Sequence, residues 1–148
     1  MLSGRWAYRL DGDNLRHGVC SDLGFSRGDR SENARRVAEL ALLFADAGSV
    51  ALVCLVSPYA DDRRHARELH EQAGLDFVEV FVNTSLEECA RRDVKGLYAK
   101  ARGGALANLT GVGAPYEPPS APDVELTENL NVASAVVRVL EALAPVTI

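Results

Sequence analysis

Cysteine is scarce in this sequence, and its spacing excludes two common kinds of site. The three cysteines, Cys20, Cys54 and Cys89, are far apart and form no Cys-x-x-Cys pair. Closely spaced cysteines are typical of zinc sites, and an even set is typical of a disulfide framework, so we expect neither. Cys54 stands within an apolar run and is predicted to be a small core residue. A reducing cytoplasm is the simplest compartment for such a chain.

Long apolar segments are also lacking. The longest purely apolar run, residues 50–56, is too short to cross a bilayer. Residues 1–10 contain no apolar core of the kind found in secretory signal peptides. These two observations predict a soluble protein that has no membrane partner.

An excess of positive charge is the third missing property. The 148 residues carry a formal net charge of -5, which argues against sequence-independent binding of nucleic acid. A local anion site stays compatible with this charge, because net charge says nothing about one pocket. Hydrophobic residues make up 47% of the chain, which is enough for the core of one domain.

Strand and helix patterns alternate along the chain. Strands are predicted at residues 6–10, 50–56, 77–82 and 124–126, and the apolar run at residues 50–56 is expected to be buried on both faces. Helices are predicted at residues 31–47, 61–73, 85 onward, 95–102 and 131–143, with Ser85 and Glu88 as a capping box and Asn131 as the cap of the last helix. Residues 103–122, rich in glycine and proline, are predicted to be a mobile lid loop. This order predicts an α/β fold with a parallel sheet flanked by helices. Ligands of such sheets bind beyond the carboxyl ends of the strands, at the loops that begin at Asp11, Ser57 and Asn83.

The loop after the first strand combines carboxylates with arginines. Asp11 and Asp13 stand two residues apart, and Arg16, Arg30 and Arg35 follow. Carboxylates that hold magnesium and guanidinium groups that clamp oxyanions would suit a phosphate ligand. An ordinary Gly-Asp-Asn turn with surface arginines explains the same residues, and spacing alone favours it slightly.

Two other segments have a functional and a plain interpretation. Ser57 follows the most apolar strand and could touch a phosphate, but a turn or helix-entry residue has the same pattern. The basic segment at residues 91–102 resembles a lid that closes on anions, and a solvated helix face is equally basic. His17, His65 and His70 have no metal-ligand spacing and are interpreted as surface or packing residues, so no protein metal ligand is predicted.

Several motifs, in one order, resemble those of the adenylylsulfate kinase family. They are residues 10–18 (LDGDNLRHG), 22–26 (DLGFS), 29–30 (DR), 32–36 (ENARR), 57–59 (SPY), 81–82 (FV), 92–98 (RDVKGLY), 100–102 (KAR), 110–111 (TG) and 116–117 (YE). The match runs from about Leu10 to the C-terminus, over nearly the whole chain. On these motifs the sequence is identified as a member of this family, with residues 1–148 as a single domain.

The resemblance implies a P-loop kinase fold and a specific reaction. Family members transfer the γ-phosphoryl group of ATP, with Mg²⁺, to the 3′-hydroxyl of adenosine 5′-phosphosulfate, and they form 3′-phosphoadenosine 5′-phosphosulfate for sulfate assimilation. The resemblance also suggests a homodimer, and an ATP sulfurylase is a possible partner.

The resemblance assigns roles to individual residues. Asp13 would activate the 3′-hydroxyl or help to order the metal, and Ser57 matches a serine considered as a phosphoserine intermediate. The residues implied in substrate binding are Asp11, Gly12, Asn14, Arg16, Phe25, Arg30, Asn33, Lys95, Leu109 and Thr110. Leu109 departs from the family, which usually has Phe before Thr-Gly, so stacking on the adenine would be weaker at that position.

The Walker A loop of the family has no counterpart in this sequence. The family motif reads Gly-Leu-Ser-Gly-Ser-Gly-Lys-Ser/Thr, whereas the only lysines here are Lys95 and Lys100. We interpret residues 2–4 (LSG) as a remnant, left by a deletion of the first strand and the P-loop helix. Loss of a central strand exposes the edges of its neighbours, so we expect a weakened fold or one completed by a partner. An inactive homologue that binds adenosine phosphosulfate, or a regulatory partner, is therefore the alternative to an active kinase.

Overall fold

The computed structural model describes residues 6–105 and 108–143. This part of the chain divides into two compact units, with the boundary between Phe77 and Val78. The first unit contains β1 (Ala7–Asp11), α1 (Gly12–Leu15), α2 (Arg27–Asp46), β2 (Val50–Cys54) and α3 (Ala60–Gln72). The second contains β3 (Val80–Asn83), α4 (Leu86–Arg92), α5 (Leu97–Arg102), β4 (Val124–Thr127) and α6 (Val132–Ala142).

In the first unit two parallel strands pack on one long helix. β1 pairs with β2 over five residues, with Ala7 opposite Val50 and Asp11 opposite Cys54. The buried centre is formed by Leu10 of β1 with Val37 and Ala41 of α2. Val37 and Ala41 are four residues apart, so both lie on the face of α2 that covers the strands. This packing fixes the carboxyl end of β1, where α1 begins.

The start of α2 lies four residues before the predicted one. Ser26 caps the helix: its hydroxyl accepts a hydrogen bond from the Asp29 backbone N–H, and the Asp29 carboxylate accepts one from the Ser26 backbone N–H. This reciprocal arrangement satisfies two amide groups that the first turn leaves without partners. The apolar pattern begins later than the cap, because the first turn of α2 carries polar residues.

The burial of β2 differs from the prediction. Residues 50–56 were expected to be buried on both faces, but Val53 and Val56 are 44% and 59% exposed. Cys54 is also exposed, so its prediction as a core residue is wrong, and the buried cysteine is Cys20. β2 is more exposed than expected because, among the described residues, it pairs with a strand only on its β1 side.

The second unit contains another parallel pair. β3 pairs with β4, with Val80 opposite Val124 and Asn83 opposite Thr127. α4 is capped by Ser85, whose hydroxyl accepts from the Glu88 backbone N–H. In the predicted capping box, Glu88 would accept a hydrogen bond from the Ser85 backbone N–H. That N–H donates instead to Glu128, and Glu88 accepts from Arg91 and Arg92. Asn131 caps α6 through the Ser134 backbone N–H, as predicted.

The α/β class with parallel strands and flanking helices is therefore confirmed, as two separate two-stranded ladders. Between α5 and β4, the described residues of the predicted lid loop contain one isolated bridge, from Thr110 to Ala114, and no helix. Residues 2–4, the interpreted P-loop remnant, lie outside the described residues. In the described parts of the chain no helix has the length and apolar character needed to cross a bilayer.

Candidate functional site

The first part of the candidate site is the junction between β1 and α1. Asp11 caps α1, and its carboxylate accepts hydrogen bonds from the backbone N–H groups of Asp13 and Asn14 at 3.0 and 3.4 Å. The predicted turn is therefore a single helical turn, in which the side chains of Asp13 and Asn14 are exposed. One carboxylate shapes the loop and the other is presented to solvent.

Gly12 allows this junction to pack closely. A Cβ atom at Gly12 would lie 2.8 Å from Cδ2 of Leu55, a distance that real Cβ contacts do not show. A side chain at this position would require the end of the Leu55 side chain or the start of α1 to move. Gly12 thus keeps α1 in close contact with the residue that follows β2.

Phe25 lies near two guanidinium groups. The central carbon of Arg16 is 4.3 Å from the Phe25 ring centre, and that of Arg30 is 5.5 Å from it. Backbone contacts fix both arginines: Arg16 donates to the carbonyls of Leu23 and Gly24 at 3.1 and 2.9 Å, and Arg30 donates to the carbonyl of Phe25 at 3.2 Å. The ring itself is 55% exposed. An aromatic surface and two cations therefore meet in one place.

The electrostatics at Phe25 favour an anion. Burial lowers the pKa of the Arg30 guanidinium, and the nearby positive charge of Arg16 lowers it further. An arginine stays protonated even so, because its usual pKa lies far above neutral pH. Two positive charges held close together are relieved by a bound oxyanion, which guanidinium groups can bind through two hydrogen bonds.

Asn33 places a buried polar atom on the same helix as Arg30. Its side chain is buried, and Oδ1 has no hydrogen-bond partner among the described residues. A buried acceptor without a partner costs free energy, so such an atom needs an explanation, for example a bound ligand. The sequence motif singles out the same residue.

Ser57 follows β2 in a conformation that few residues adopt. Its φ is 41°, in the left-handed region that disfavours residues with a side chain. Its carbonyl accepts a hydrogen bond from Arg63 of α3 at 2.6 Å. Strained backbone of this kind is found often at functional sites, and Arg63 is a supporting residue that sequence patterns did not identify.

The other predicted site residues belong to the second unit. Lys95 is exposed just before α5, and Leu109 and Thr110 are half-buried in the loop that follows. Thr110 resembles Asn33, because its hydroxyl oxygen is buried without a partner among the described residues. Asp93 was not predicted as a site residue. Its carboxylate accepts from the backbone N–H groups of Tyr98 and Ala99, so it fixes the start of α5 beside Lys95.

The hydrogen bond from the Tyr98 backbone is the main reason why the pKa of Asp93 is lowered. The carboxylate is thereby kept in the ionised form, which accepts these hydrogen bonds. Its φ of 29° puts Asp93, like Ser57, in the left-handed region.

A group of charged residues was also missed. Arg36 of α2 donates to both carboxylate oxygens of Asp22, at 2.6 and 2.8 Å, and to Glu32 at 2.8 Å. Hydrogen bonds from Arg35 and then Arg36 lower the pKa of Glu32 to about 2. The Glu32–Arg36 pair has the i,i+4 spacing that stabilises helices and could have been recognised, whereas the Asp22 contact is long-range.

The described residues of the first unit include no lysine for a triphosphate cradle. Such a cradle combines a glycine-rich loop with a lysine, and both lysines of the sequence, Lys95 and Lys100, belong to the second unit near α5. In the first unit, the Asp11 carboxylate is occupied with the amides of α1. Among the described residues of the first unit, the arginines beside Phe25 are therefore the candidate anion site.

Two known proteins match most of this chain in sequence. The bifunctional enzyme CysN/CysC of Mycobacterium tuberculosis is 50% identical over 137 residues, which are 93% of this chain and 22% of that protein. The adenylyl-sulfate kinase of Saccharomyces cerevisiae is 54% identical over 120 residues, which are 81% of this chain and 59% of that protein. The chain therefore spans about a fifth of the bifunctional relative and less than two thirds of the yeast relative.

A solved structure is similar over nearly the whole chain. The Mycobacterium tuberculosis APS kinase CysC, in complex with AMPPNP and APS, superposes with a TM-score of 0.93 at 49% identity. The match covers 96% of this chain and 82% of that one. The sequence model of the adenylylsulphate kinase family matches residues 1–127. The chain belongs to the adenylylsulphate kinase family.

Proposed function

We propose that this chain acts in the adenylylsulfate kinase reaction, and that its first unit binds the acceptor, adenosine 5′-phosphosulfate. The observation that carries the proposal is the position of Phe25 close to Arg16 and Arg30. A nucleoside offers a flat base for the ring, and its phosphosulfate offers oxyanions for the two guanidinium groups. The complex of the Mycobacterium relative with APS supports this choice of ligand.

Each candidate residue has a part in this proposal. Phe25 stacks on the adenine, Arg16 and Arg30 bind the phosphosulfate, and Asn33 supplies a polar contact. Asp13, presented by the first turn of α1, orients the 3′-hydroxyl and accepts its hydrogen bond. Asp11, Gly12 and Asn14 keep that turn in shape. Positioning of this kind is the larger part of catalysis in phosphoryl transfer.

The remaining candidates are assigned to the same reaction with less structural support. Ser57 is the candidate for a contact with the transferred phosphoryl group. Lys95, Leu109 and Thr110 are assigned to the lid, residues 103–122 and the segment before it. Their part rests on the family motifs, together with the unpartnered hydroxyl of Thr110.

Bound magnesium–ATP supplies the phosphoryl group and part of the charge neutralisation in this class of reaction. The described residues of the first unit include no lysine that could bind the triphosphate, so we assign to this chain the recognition of the acceptor and derive no transfer step from it. The alternative is an APS-binding or regulatory homologue that does not catalyse the reaction. The titration described next distinguishes this alternative from an active kinase.

The first test is calorimetric titration of the purified chain with adenosine 5′-phosphosulfate and, separately, with magnesium–ATP. Binding of the former without the latter supports an acceptor-binding protein. Binding of both, with formation of the 3′-phosphorylated product, shows a complete kinase and overturns our assignment of the missing cradle. An absence of APS binding overturns the proposed function.

Variants make the assignment specific. Arg30→Ala should weaken APS binding by at least about tenfold, since a hydrogen-bonded charge contact contributes more than 1.4 kcal/mol. Arg64→Ala is the matched control: Arg64 is an exposed arginine of α3 in the same unit, and it pairs with Asp61 and Glu68. Adenosine 5′-monophosphate should bind more weakly than adenosine 5′-phosphosulfate, because it lacks the sulfate.

Assembly and partners are also proposals. The Mycobacterium relative is named a bifunctional enzyme, and this chain matches 22% of it. We propose that the chain works beside an ATP sulfurylase and as a homodimer, and light scattering on the purified chain tests the second statement.

A further inference from the structure

Residues 19–25 connect α1 to the cap of α2 and carry Phe25 at their end. Their backbone forms turns, such as the hydrogen bonds from Cys20 to the carbonyl of Leu15 and from Leu23 to that of Cys20, and no helix or strand. A segment of this kind is positioned by its side-chain contacts. The location of the Phe25 ring therefore depends on what holds residues 19–25 to the rest of the first unit.

Three arginines bind this segment through its carbonyl groups. Arg16 binds those of Leu23 and Gly24, and Arg30 binds that of Phe25. Arg36 binds the carbonyl of Val19 at 2.8 Å. Arg16 and Arg30 are the proposed ligands of the phosphosulfate, so they would bind both this segment and the substrate.

Arg36 differs from the other two because carboxylates offset its charge. It donates to both oxygens of Asp22 and to Glu32, and these hydrogen bonds raise its pKa. A guanidinium that is satisfied in this way is not available to a bound anion. Its bidentate contact with Asp22 instead connects the middle of residues 19–25 to the middle of α2.

We propose that Asp22 and Arg36 are positioning residues: their ion pair holds residues 19–25 against α2 and so places Phe25 and Arg16 for the acceptor nucleotide. Cys20, which is fully buried, is the second anchor of the same segment. This inference rests on the proposed function for its substrate, but the anchoring of the segment can be measured without any ligand.

The two readouts are APS affinity and the alkylation rate of Cys20. The protein for both is the full chain with Cys54→Ser and Cys89→Ser, so that Cys20 is the only thiol. In the Asp22→Ala variant we expect APS to bind at least about fivefold more weakly, because a misplaced contact loses much of its binding energy. We also expect Cys20 to react with iodoacetamide several times faster, while circular dichroism and the unfolding midpoint change little, since the Asp22 side chain is largely exposed.

Two further variants separate positioning from a general loss of structure. Asp22→Glu keeps the carboxylate and should restore most of the affinity and the protection of Cys20. Arg64→Ala removes an exposed ion pair with Asp61 elsewhere in the first unit and should change neither readout.

The outcomes distinguish this inference from the proposed function. If Cys20 is alkylated faster in Asp22→Ala but no variant binds APS, the Asp22–Arg36 ion pair anchors the segment and the proposed function is wrong. Unchanged alkylation and unchanged affinity in Asp22→Ala, with APS bound by the parent chain, overturn the positioning role.

Discussion

The carboxylate of Asp11 accepts a hydrogen bond from the backbone N–H of Asp13 at 3.0 Å. Two acidic residues that look equivalent in the sequence therefore have different tasks. Asp11 is a helix cap, and Asp13 is a side chain that the capped turn presents.

This difference predicts how substitutions at Asp11 behave. Asp11→Ala should lower the free energy of unfolding by about 1 kcal/mol, whereas Asp11→Asn should lower it less, because Asn caps helices about as well as Asp does. Urea unfolding of the three proteins measures the effect. Equal losses in the two variants would show that the charge of Asp11, not its cap, stabilises the turn.

The backbone conformation of Ser57 should lower the free energy of unfolding of the first unit. Its φ of 41° lies in a region that costs residues with a side chain roughly 1–2 kcal/mol. Ser57→Gly should unfold at the same or a higher urea concentration than Ser57→Ala, which keeps the strain and also loses the hydroxyl. A clearly less stable glycine variant would contradict the strain at this position.

The stability of the first unit should depend on pH through Glu32. The pKa of this carboxyl falls from 4.5 to about 2 on folding, because Arg35 and Arg36 donate to it. A pKa that is lower in the folded state stabilises the fold at pH values above the unfolded pKa. The stabilisation should therefore be complete above pH 4.5 and lost as the pH falls towards 2.

Urea unfolding of the wild type and Glu32→Gln across this range isolates the effect. The difference between their free energies of unfolding should be largest above pH 4.5 and should disappear as the pH falls through about 2. Glu39→Gln is the control, because Glu39 contacts Arg35 at the longer distance of 3.7 Å. A difference for Glu32→Gln that does not change with pH would contradict the ion pairs.

The open strand edges predict self-association. Val53 and Val56, at and just beyond the end of β2, and Val82 of β3 are 44%, 59% and 65% exposed. Each strand has one partner among the described residues, so its other edge can accept a further strand. Sedimentation velocity should show association that rises with protein concentration, and Val53→Lys should reduce it. A wild-type chain that stays monomeric at high concentration would contradict this expectation.

The order and type of most elements followed from local patterns. The alternation of apolar runs with helical periodicity predicted the four strands and the long helix α2 to within a few residues. The boundary errors have local causes. α2 starts early because Ser26 and Asp29 cap it, and β3 starts late, at Val80, where its pairing with β4 begins.

The candidate site could be predicted only through the family motifs. Spacing alone did not separate a phosphate site from a turn with surface arginines. The structure brings Arg16, Phe25 and Arg30 together through carbonyl contacts that no periodic pattern encodes. Arg63 and the Asp22–Arg36 pair were missed for the same reason: these contacts join α3 and α2 to irregular segments.

The sequence by itself determined the α/β class, the order of the elements, the helix caps at Ser85 and Asn131, and the family, because each depends on neighbouring residues or on motifs in order. Only the tertiary structure decided that Cys20 is buried and Cys54 is exposed, and which arginine is bound by carboxylates. Burial and long-range ion pairs depend on which segments meet after folding, and periodicity along the chain contains no information about that.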